Sequence, residues 1–247
     1  MDKVLYVAMT GARENMRAQQ AHANNLANAT TTAFKSDLEQ ARSMRVLGDG
    51  YESRVYSMSE RPGSNMESGT LMQTGRDLDI AVDGDGWLAV IGPDGNEVYT
   101  RNGALQINAA NQLVTGSGLP VMGVGGAPIV IPPAEKVEIA TDGSISIRPL
   151  GENAVDIALI DQLKLVQPED GALYKGQDGF MHTDNNVPLP PGLNVQVRSG
   201  YLEASNVNAV DDLTSMISLS RQFEMQVKMM KTAEENSSKA AEVLSLS

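Results

Sequence analysis

The sequence predicts an α+β protein with N- and C-terminal helices that pair as a coiled coil and an antiparallel all-β central domain. Apolar and small residues recur every three or four positions at both ends, as on one side of a helix. Strand-length runs separated by Gly, Asn and Pro turns occupy the middle. The predicted boundaries are 1–29 for the N-terminal helix, 30–74 for an extended linker, 75–201 for the β-domain and 202–247 for the C-terminal helix.

The two helices are predicted from Asp2 to Asn28 and from about Asn208 to Leu244. The N-terminal stripe is Leu5, Ala8, Ala12, Met16, Gln19, Ala23 and Leu26. The C-terminal stripe is Val210, Leu213, Ile217, Ser220, Glu224, Val227 and Met230, with Phe223, Ala233, Ala240 and Leu244 near the same line. Small and polar residues limit the apolar area that each helix can bury, which favours the second of two alternatives. The helices either pack on the body of a globular protein or form an assembly-dependent coiled coil.

The linker at 30–74 is expected to contain at most short strands, because its apolar residues are scattered among turn formers. The β-domain is expected to be antiparallel because short runs alternate with turn sequences such as Asn102-Gly103. The predicted strands are 78–82, 87–91, 97–101, 105–107, 112–115, 129–131, 137–140, 144–147, 154–159, 163–166 and 194–197. With aromatic residues at 4%, the core is expected to be aliphatic.

Composition argues against several classes of function. The net charge of −12, without a cluster of Lys and Arg interleaved with aromatics, argues against nucleic-acid binding. The chain has no cysteine, which excludes disulfides and thiolate metal sites. No run approaches the length of a membrane span, and the apolar run at 4–9 is too short for a secretory signal. We therefore expect neither membrane insertion nor a cleavable signal.

Four fragments imitate catalytic or binding motifs. Gly84-Asp85-Gly86 resembles a dinucleotide fingerprint, but the sequence after it predicts a strand where that motif opens a helix. The carboxylates at Asp77, Asp79, Asp83 and Asp85 lack the spacing of a calcium loop and are expected to form turns in solvent. His22, on the polar side of a helix, and His182, in a loop, give no zinc site or catalytic triad. Since 31 acidic residues always offer some pair, a glycosidase-like carboxylate pair stays open.

Three groups of sequence blocks follow one another along the chain. The N-terminal block is Asn25-Leu26-Ala27-Asn28 followed by Thr31, Thr32, Phe34 and Lys35. The central blocks are Thr74-Gly75-Arg76-Asp77-Leu78-Asp79, Tyr99-Thr100-Arg101-Asn102-Gly103 and Leu113-Val114-Thr115 with Gly118, Val121 and Gly123. The C-terminal block is Gly200, Leu202-Glu203 and Ser205-Asn206-Val207-Asn208, followed by Met216-Ile217, Arg221 and Phe223-Glu224. In this order, the blocks resemble those of the bacterial flagellar rod and hook family of axial proteins.

Two positions depart from the family pattern. Ala33 stands where the family usually has Gly, so a left-handed backbone there costs more and the local turn is not carried over. Trp87-Leu88-Ala89-Val90 replaces the paired Phe of distal rod and hook subunits, which favours the proximal rod branch. The distal rod remains the alternative within the family.

The resemblance implies a structural subunit of the proximal rod, without catalysis, cofactor or metal. Family members assemble head to tail into a tube that transmits torque from motor to hook, with an inner helical layer around an export channel. The implied partners are copies of this chain, other proximal and distal rod proteins and the type III export apparatus, and the implied location is the periplasmic rod. The subunit-interface residues that we expect from this resemblance are Leu5, Ala8, Ala12, Met16, Leu26, Asn28, Asn206, Val207, Val210, Leu213, Ile217, Phe223, Val227 and Met230.

By this likeness, the first stripe would face the second within the inner layer. A competing reading from another class is a secreted β-domain that binds a ligand or hydrolyses a glycan, with its helices as a dimerisation stalk.

Overall fold

The computed structural model describes residues 2–38, 41–45, 55–59, 63–149, 157–169, 171–192 and 194–245. The chain divides into two compact units. Unit 1 consists of 1–29, 36–65 and 207–247, and unit 2 consists of 30–35 and 66–206. The chain therefore passes between the units four times.

Unit 1 contains the two long helices, α1 (Asp2–Ala27) and α2 (Ala209–Ser245), which pack against each other. They run antiparallel, because His22 near the end of α1 meets Asp212 at the start of α2, and Gly11 lies against Gln226. The described residues of this unit also include four short strands: β1 (Asp37–Leu38), β2 (Ala41–Arg45), β3 (Val55–Ser59) and β4 (Gly63–Ser64). β1 pairs with β4 and β2 pairs with β3, both antiparallel, and β3 also contacts α1.

Unit 2 is built from antiparallel strands. They are β5 (Leu71–Gln73), β6 (Ile80–Asp83), β7 (Trp87–Ile91), β8 (Glu97–Thr100), β9 (Leu105–Ile107), β10 (Leu113–Thr115), β11 (Ala134–Ile139), β12 (Ser144–Pro149), β13 (Ala158–Gln162), β14 (Leu165–Val166), β15 (Leu173–Lys175), β16 (Met181–Thr183), β17 (Gln196–Ser199) and β18 (Tyr201–Glu203). The largest sheet has the order β14-β7-β8-β16-β15, and a second has the order β11-β12-β13. The pairs β5–β18, β6–β17 and β9–β10 form separate ladders.

The core of unit 2 lies on both faces of β7. Leu88 and Val90 point into a large aliphatic cluster, and Trp87 and Ala89 point into a smaller cluster with Tyr99. Because alternate side chains of a strand point to opposite faces, a strand buried on both faces is apolar throughout. The run Trp87–Ile91 has this character, and the larger cluster is aliphatic, as the scarcity of aromatics predicts.

The structure has the two predicted helices and the mostly antiparallel β-region, and each helix ends within one residue of its predicted bounds. The strands at 87–91 and 105–107 have their predicted bounds. The predicted strand at 129–131 was wrong, because only an isolated bridge at Val130 occurs there. The first part of the predicted strand at 154–159 lies outside the described residues, and the described strand begins at Ala158. Coiled-coil pairing and the predicted domain boundaries stay predictions.

Candidate assembly surface and motif sites

On α1, the structure buries two small residues of the predicted stripe and exposes two of its large ones. Ala8 and Ala12 are almost fully buried, and Leu26 is half-buried. Leu5 and Met16 are exposed at 39% and 50%. Gly11 continues the close approach, since a Cβ there would come within 2.7 Å of the Gln226 amide nitrogen. Small residues thus let the two helices lie close together, while the larger apolar side chains remain available for other contacts.

On α2, the least exposed side chains follow a line that differs from the predicted stripe. Steps of three and four lead through Ala209, Asp212, Met216, Leu219, Phe223, Gln226, Met230 and Ala233. Of the predicted interface residues, Phe223 and Met230 belong to this line. The other four are exposed at 68%, 47%, 55% and 42%: Val210, Leu213, Ile217 and Val227. Within the chain the second stripe therefore does not face α1 as a whole.

These four exposed residues define an outer apolar line on α2. A groove of about 910 Å³ lies further along the helix, and its lining includes Met225 and Met229, exposed at 59% and 52%. Contiguous exposed apolar surface on a protein marks a contact site for another chain. The outer apolar line is the candidate assembly surface.

A hydrogen bond between the helices was missed by sequence reasoning, which treated His22 as a residue on a polar helix face. Nδ1 of His22 lies 2.5 Å from Oδ1 of Asp212, and Asp212 is 9% exposed. The 190 residues between the two positions leave no local signal for the contact. This contact aligns the end of α1 with the first turn of α2.

The Asn-Leu-Ala-Asn block holds the chain where α1 ends. The Asn25 side chain donates to the Asp37 carbonyl at 3.0 Å and accepts the Asp37 amide at 2.8 Å, which imitates a strand partner. Nδ2 of Asn24 donates to the Asp37 carboxylate at 2.7 Å. Nδ2 of Asn28 donates to the Asn24 carbonyl at 2.9 Å and is thereby engaged inside the chain. The block thus explains how β1 is attached to α1.

Residues from the N-terminal, central and C-terminal blocks meet in a buried ionic cluster in unit 2. Nζ of Lys35 lies 2.8 Å from Oε1 of Glu203, and Nε of Arg101 lies 2.8 Å from Oε2 of the same carboxylate. The three residues are 1–2% exposed. Both cations also lie within 6 Å of the Trp87 ring centre, at a distance where cation–π attraction operates.

Backbone groups make further hydrogen bonds to this ionic cluster. Lys35 donates to the Glu67 carbonyl at 2.6 Å, and Arg101 donates to the Val82 and Gly84 carbonyls at 3.1 and 2.6 Å. The Gly69 amide donates to Glu203 Oε1 at 2.9 Å. A buried charge is tolerated only when it is paired and hydrogen-bonded. One carboxylate therefore compensates two buried cations.

Asn206 of the C-terminal block makes further hydrogen bonds to the segments that carry Lys35 and Glu67. The Asn206 amide donates to the Phe34 carbonyl at 3.2 Å, and its side chain donates to the Glu67 carbonyl at 3.0 Å. Val207 is half-buried at the start of the next segment of unit 1. These contacts engage Asn206 inside the chain, so its predicted role at a subunit interface stays a prediction.

Burial lowers the pKa of Lys35 below its ordinary value of 10.5, although the hydrogen bond and charge of Glu203 oppose this. Between the two pKa values the unfolded chain binds more protons, so the free energy of unfolding rises with pH in that window. We expect Lys35→Met to remove this contribution, measured by urea unfolding of both proteins between about pH 8 and pH 10. The control is Lys136→Met, at an exposed lysine whose pKa is raised by Glu138. An unchanged pH slope in Lys35→Met would contradict the prediction.

Ala33 adopts the left-handed conformation that its replacement of glycine made doubtful. Its φ is +56°, and its amide donates to the Glu203 carbonyl at 2.8 Å. The turn is therefore formed despite the steric cost of the Cβ.

We expect Ala33→Gly to raise the free energy of unfolding by up to about 1 kcal/mol, because relief of the strained φ outweighs the added chain entropy. Thermal and urea unfolding measure the change. Ala110→Gly is the control at an exposed turn alanine without positive φ, and it is expected to give no gain. Equal effects of the two substitutions would contradict the role of φ at Ala33.

Three residues of the motif-like fragments, Asp79, Asp83 and His182, contact charged side chains of the same chain. Asp79 is buried, not solvated as predicted, and its carboxylate lies 3.3 Å from Arg76. Asp83 pairs with Arg198 at the surface. His182 lies in β16, not in a loop, and its ring nitrogen contacts Asp178 at 3.0 Å.

In the described part of the chain, no group of three or more acidic or histidine side chains could hold a metal ion. Among the same residues, no helix is long and apolar enough to cross a membrane.

Comparison with known proteins first defines the class. Residues 81–147 match the D1 domain of the flagellar hook protein FlgE/F/G family, and residues 198–243 match the C-terminal domain of flagellar basal body rod FlgEFG proteins. The chain is thus an axial protein of the flagellum.

Full-length relatives define the family more closely. The chain is 38% identical to flagellar basal-body rod protein FlgF of Escherichia coli K12 over the whole of both chains, and 35% identical to FlgF of Caulobacter vibrioides over 99% and 98% of the two chains. It is 28% identical to FlgG of Buchnera aphidicola (Schizaphis graminum) over 94% and 95%. The chain belongs to the FlgF family of flagellar basal-body rod proteins, which are structural subunits of the rod.

Proposed function

We propose that this chain is a subunit of the proximal rod that assembles head to tail into a helical tube and transmits torque from motor to hook. Its partners are copies of itself and other proximal and distal rod proteins. The role is structural and involves no catalysis, cofactor or metal. The observation that carries the proposal is the outer apolar line on α2, in a chain of this family.

Exposure of the outer apolar line to water is energetically unfavourable. Fully burying a side chain the size of Val, Leu or Ile contributes about 1.5–3 kcal/mol. Val210, Leu213 and Ile217 lie on α2 at steps of three and four, so one neighbouring helix could cover them together. Repetition of such a heterologous contact generates a ring or a helical filament, depending on whether the rotation closes.

The first experiment is swimming motility with electron microscopy of basal bodies in a strain lacking this gene. The strain is complemented with the full chain or with a chain lacking residues 2–28. We expect cells without hooks, stalled at an incomplete rod and rescued only by the full chain. Normal flagella in the deletion strain would overturn the proposed function and favour the ligand-binding alternative.

A point substitution separates assembly from folding. Ile217→Asp places a charge in the outer apolar line, where burial against a neighbour would leave it unpaired. We expect loss of hooks and motility, with the circular dichroism of the purified variant unchanged. The matched control is Ser218→Asp, which adds the same charge at the adjacent exposed position of α2. Full motility of Ile217→Asp would contradict the role of this line.

The same proposal includes export by the type III apparatus without a cleavable signal and residence in the periplasmic part of the rod. The intact mass of the protein recovered from purified basal bodies tests the first point, and a shortened N-terminus would contradict it. Recovery of the protein from the periplasmic fraction of wild-type cells, and its loss from that fraction in cells with a defective export apparatus, tests the second.

A distal rod subunit is the alternative within the family. The higher identity to the FlgF relatives than to FlgG of Buchnera aphidicola supports the proximal assignment. Expression of this chain in strains lacking one or the other rod protein discriminates the two roles. Rescue of the strain that lacks the distal rod protein would favour the alternative.

A further inference from the structure

The buried ionic cluster joins the three segments through which the chain enters and leaves unit 2. The boundaries between the units fall after residues 29, 35, 65 and 206. The three segments are 30–35, the start of 66–206 and the end of 66–206. Lys35 is the last residue of the first segment, Gly69 lies near the start of the second, and Glu203 lies close to the end of the third. All contacts of the ionic cluster described above lie within unit 2.

Backbone hydrogen bonds connect the same three segments pairwise. The Ala33 amide donates to the Glu203 carbonyl, the Asn206 amide donates to the Phe34 carbonyl, and the Ala204 amide donates to the Thr70 carbonyl at 2.8 Å. A further cation secures the first segment, because Lys175 donates to the Lys35 carbonyl at 2.8 Å and lies 3.9 Å from the Phe34 ring centre.

We propose that Lys35, Arg101 and Glu203 form a latch. None of the three segments can detach from unit 2 without destabilising the other two. If the third segment detaches, Glu203 leaves and two cations remain buried without a counter-charge. If the first segment detaches, Lys35 leaves and the Glu67 carbonyl and Glu203 Oε1 lose their shared donor. Each segment is therefore held by charges and hydrogen bonds that the other two supply.

The latch acts within one folded chain, and its meaning in the flagellum rests on the proposed function. In a rod subunit, the segments that connect unit 2 to both long helices are those through which force passes along the chain. A joint that opens only as a whole resists force applied to any single segment. The test uses the purified full chain, so its failure is distinguishable from failure of the rod assignment.

The experiment is native-state amide hydrogen exchange of the wild type and Lys35→Met, resolved to individual residues. The reporters are the amides of Ala33, Gly69 and Asn206, one in each segment, and none of them donates to Lys35. We expect all three to exchange at least about tenfold faster in the variant, with equal factors, as for one cooperative opening. Core amides such as Leu113 are expected to keep their rates.

The matched control is Lys164→Met, which removes a buried lysine paired with Glu97 at 2.7 Å elsewhere in unit 2. It is expected to leave the relative protection of the three reporters unchanged. Faster exchange at only one reporter in Lys35→Met would mean separate local contacts and would overturn the latch. Equal acceleration of reporters and core would mean general destabilisation and would overturn it too. Should Lys35→Met not fold, Glu203→Gln keeps an acceptor for Gly69 and is measured with the same outcomes.

Discussion

Replacing Glu203 with alanine is expected to lower the free energy of unfolding of unit 2 by about 3–5 kcal/mol. The substitution removes the carboxylate that compensates two cations, Lys35 and Arg101, in a site where all three residues are almost inaccessible to water. It also leaves the Gly69 amide without its acceptor. The loss therefore combines unpaired buried charge with an unsatisfied buried donor.

Urea unfolding followed by tryptophan fluorescence measures this change. The chain has one tryptophan, and Trp87 lies beside both cations in the core of unit 2. The control is Asp83→Ala, which removes a solvent-exposed ion pair with Arg198 and is expected to cost at most about 1 kcal/mol. If both substitutions cost the same, Glu203 does not have the role that its burial assigns to it.

Gly103→Ala is expected to lower the free energy of unfolding by about 3 kcal/mol. A Cβ at this position would lie 1.8 Å from the carbonyl oxygen of Ile80 and 2.7 Å from its side chain. The Ile80 amide also donates to the Gly103 carbonyl at 2.9 Å. The two backbone segments therefore cannot separate without losing this hydrogen bond. Ile80 is fully buried in β6, and the main chain has little room to move.

Gly116→Ala is the matched control, because the nearest atom to its Cβ would be 3.6 Å away. It is expected to change the free energy of unfolding by less than about 1 kcal/mol. Thermal and urea unfolding of the two variants give the comparison. A similar small effect at Gly103 would show that the Asn102-Gly103 turn can shift away from Ile80.

Local patterns were sufficient for the helices and many of the strands. The helical spacing predicts α1 and α2 to within one residue at each end. The apolar run Trp87–Ile91 between turn residues predicts β7 with its full bounds. In both cases the information lies within a few neighbouring residues. The strands β15 and β16, at 173–175 and 181–183, were not predicted.

The face of α2 that meets α1 could not be predicted from spacing. Two adjacent lines have nearly the same period, and both are mostly apolar. The structure instead directs the line with Asp212 and Gln226 inward, because Asp212 meets His22 and Gln226 fits against Gly11. A polar contact and a glycine on the partner helix decided between the lines.

The sequence by itself determined the element types, most of their bounds and the family, because helix period, turn chemistry and motif order are properties of neighbouring residues. Only the tertiary structure decided that Lys35, Arg101 and Glu203 share one site, because the first and the last are 168 positions apart in the sequence. From the sequence alone, a charged residue is expected to be exposed to solvent. Its burial is tolerated only when a partner, here one distant in sequence, compensates the charge. The same reason separates the buried Asp79 from the exposed carboxylate expected at that position.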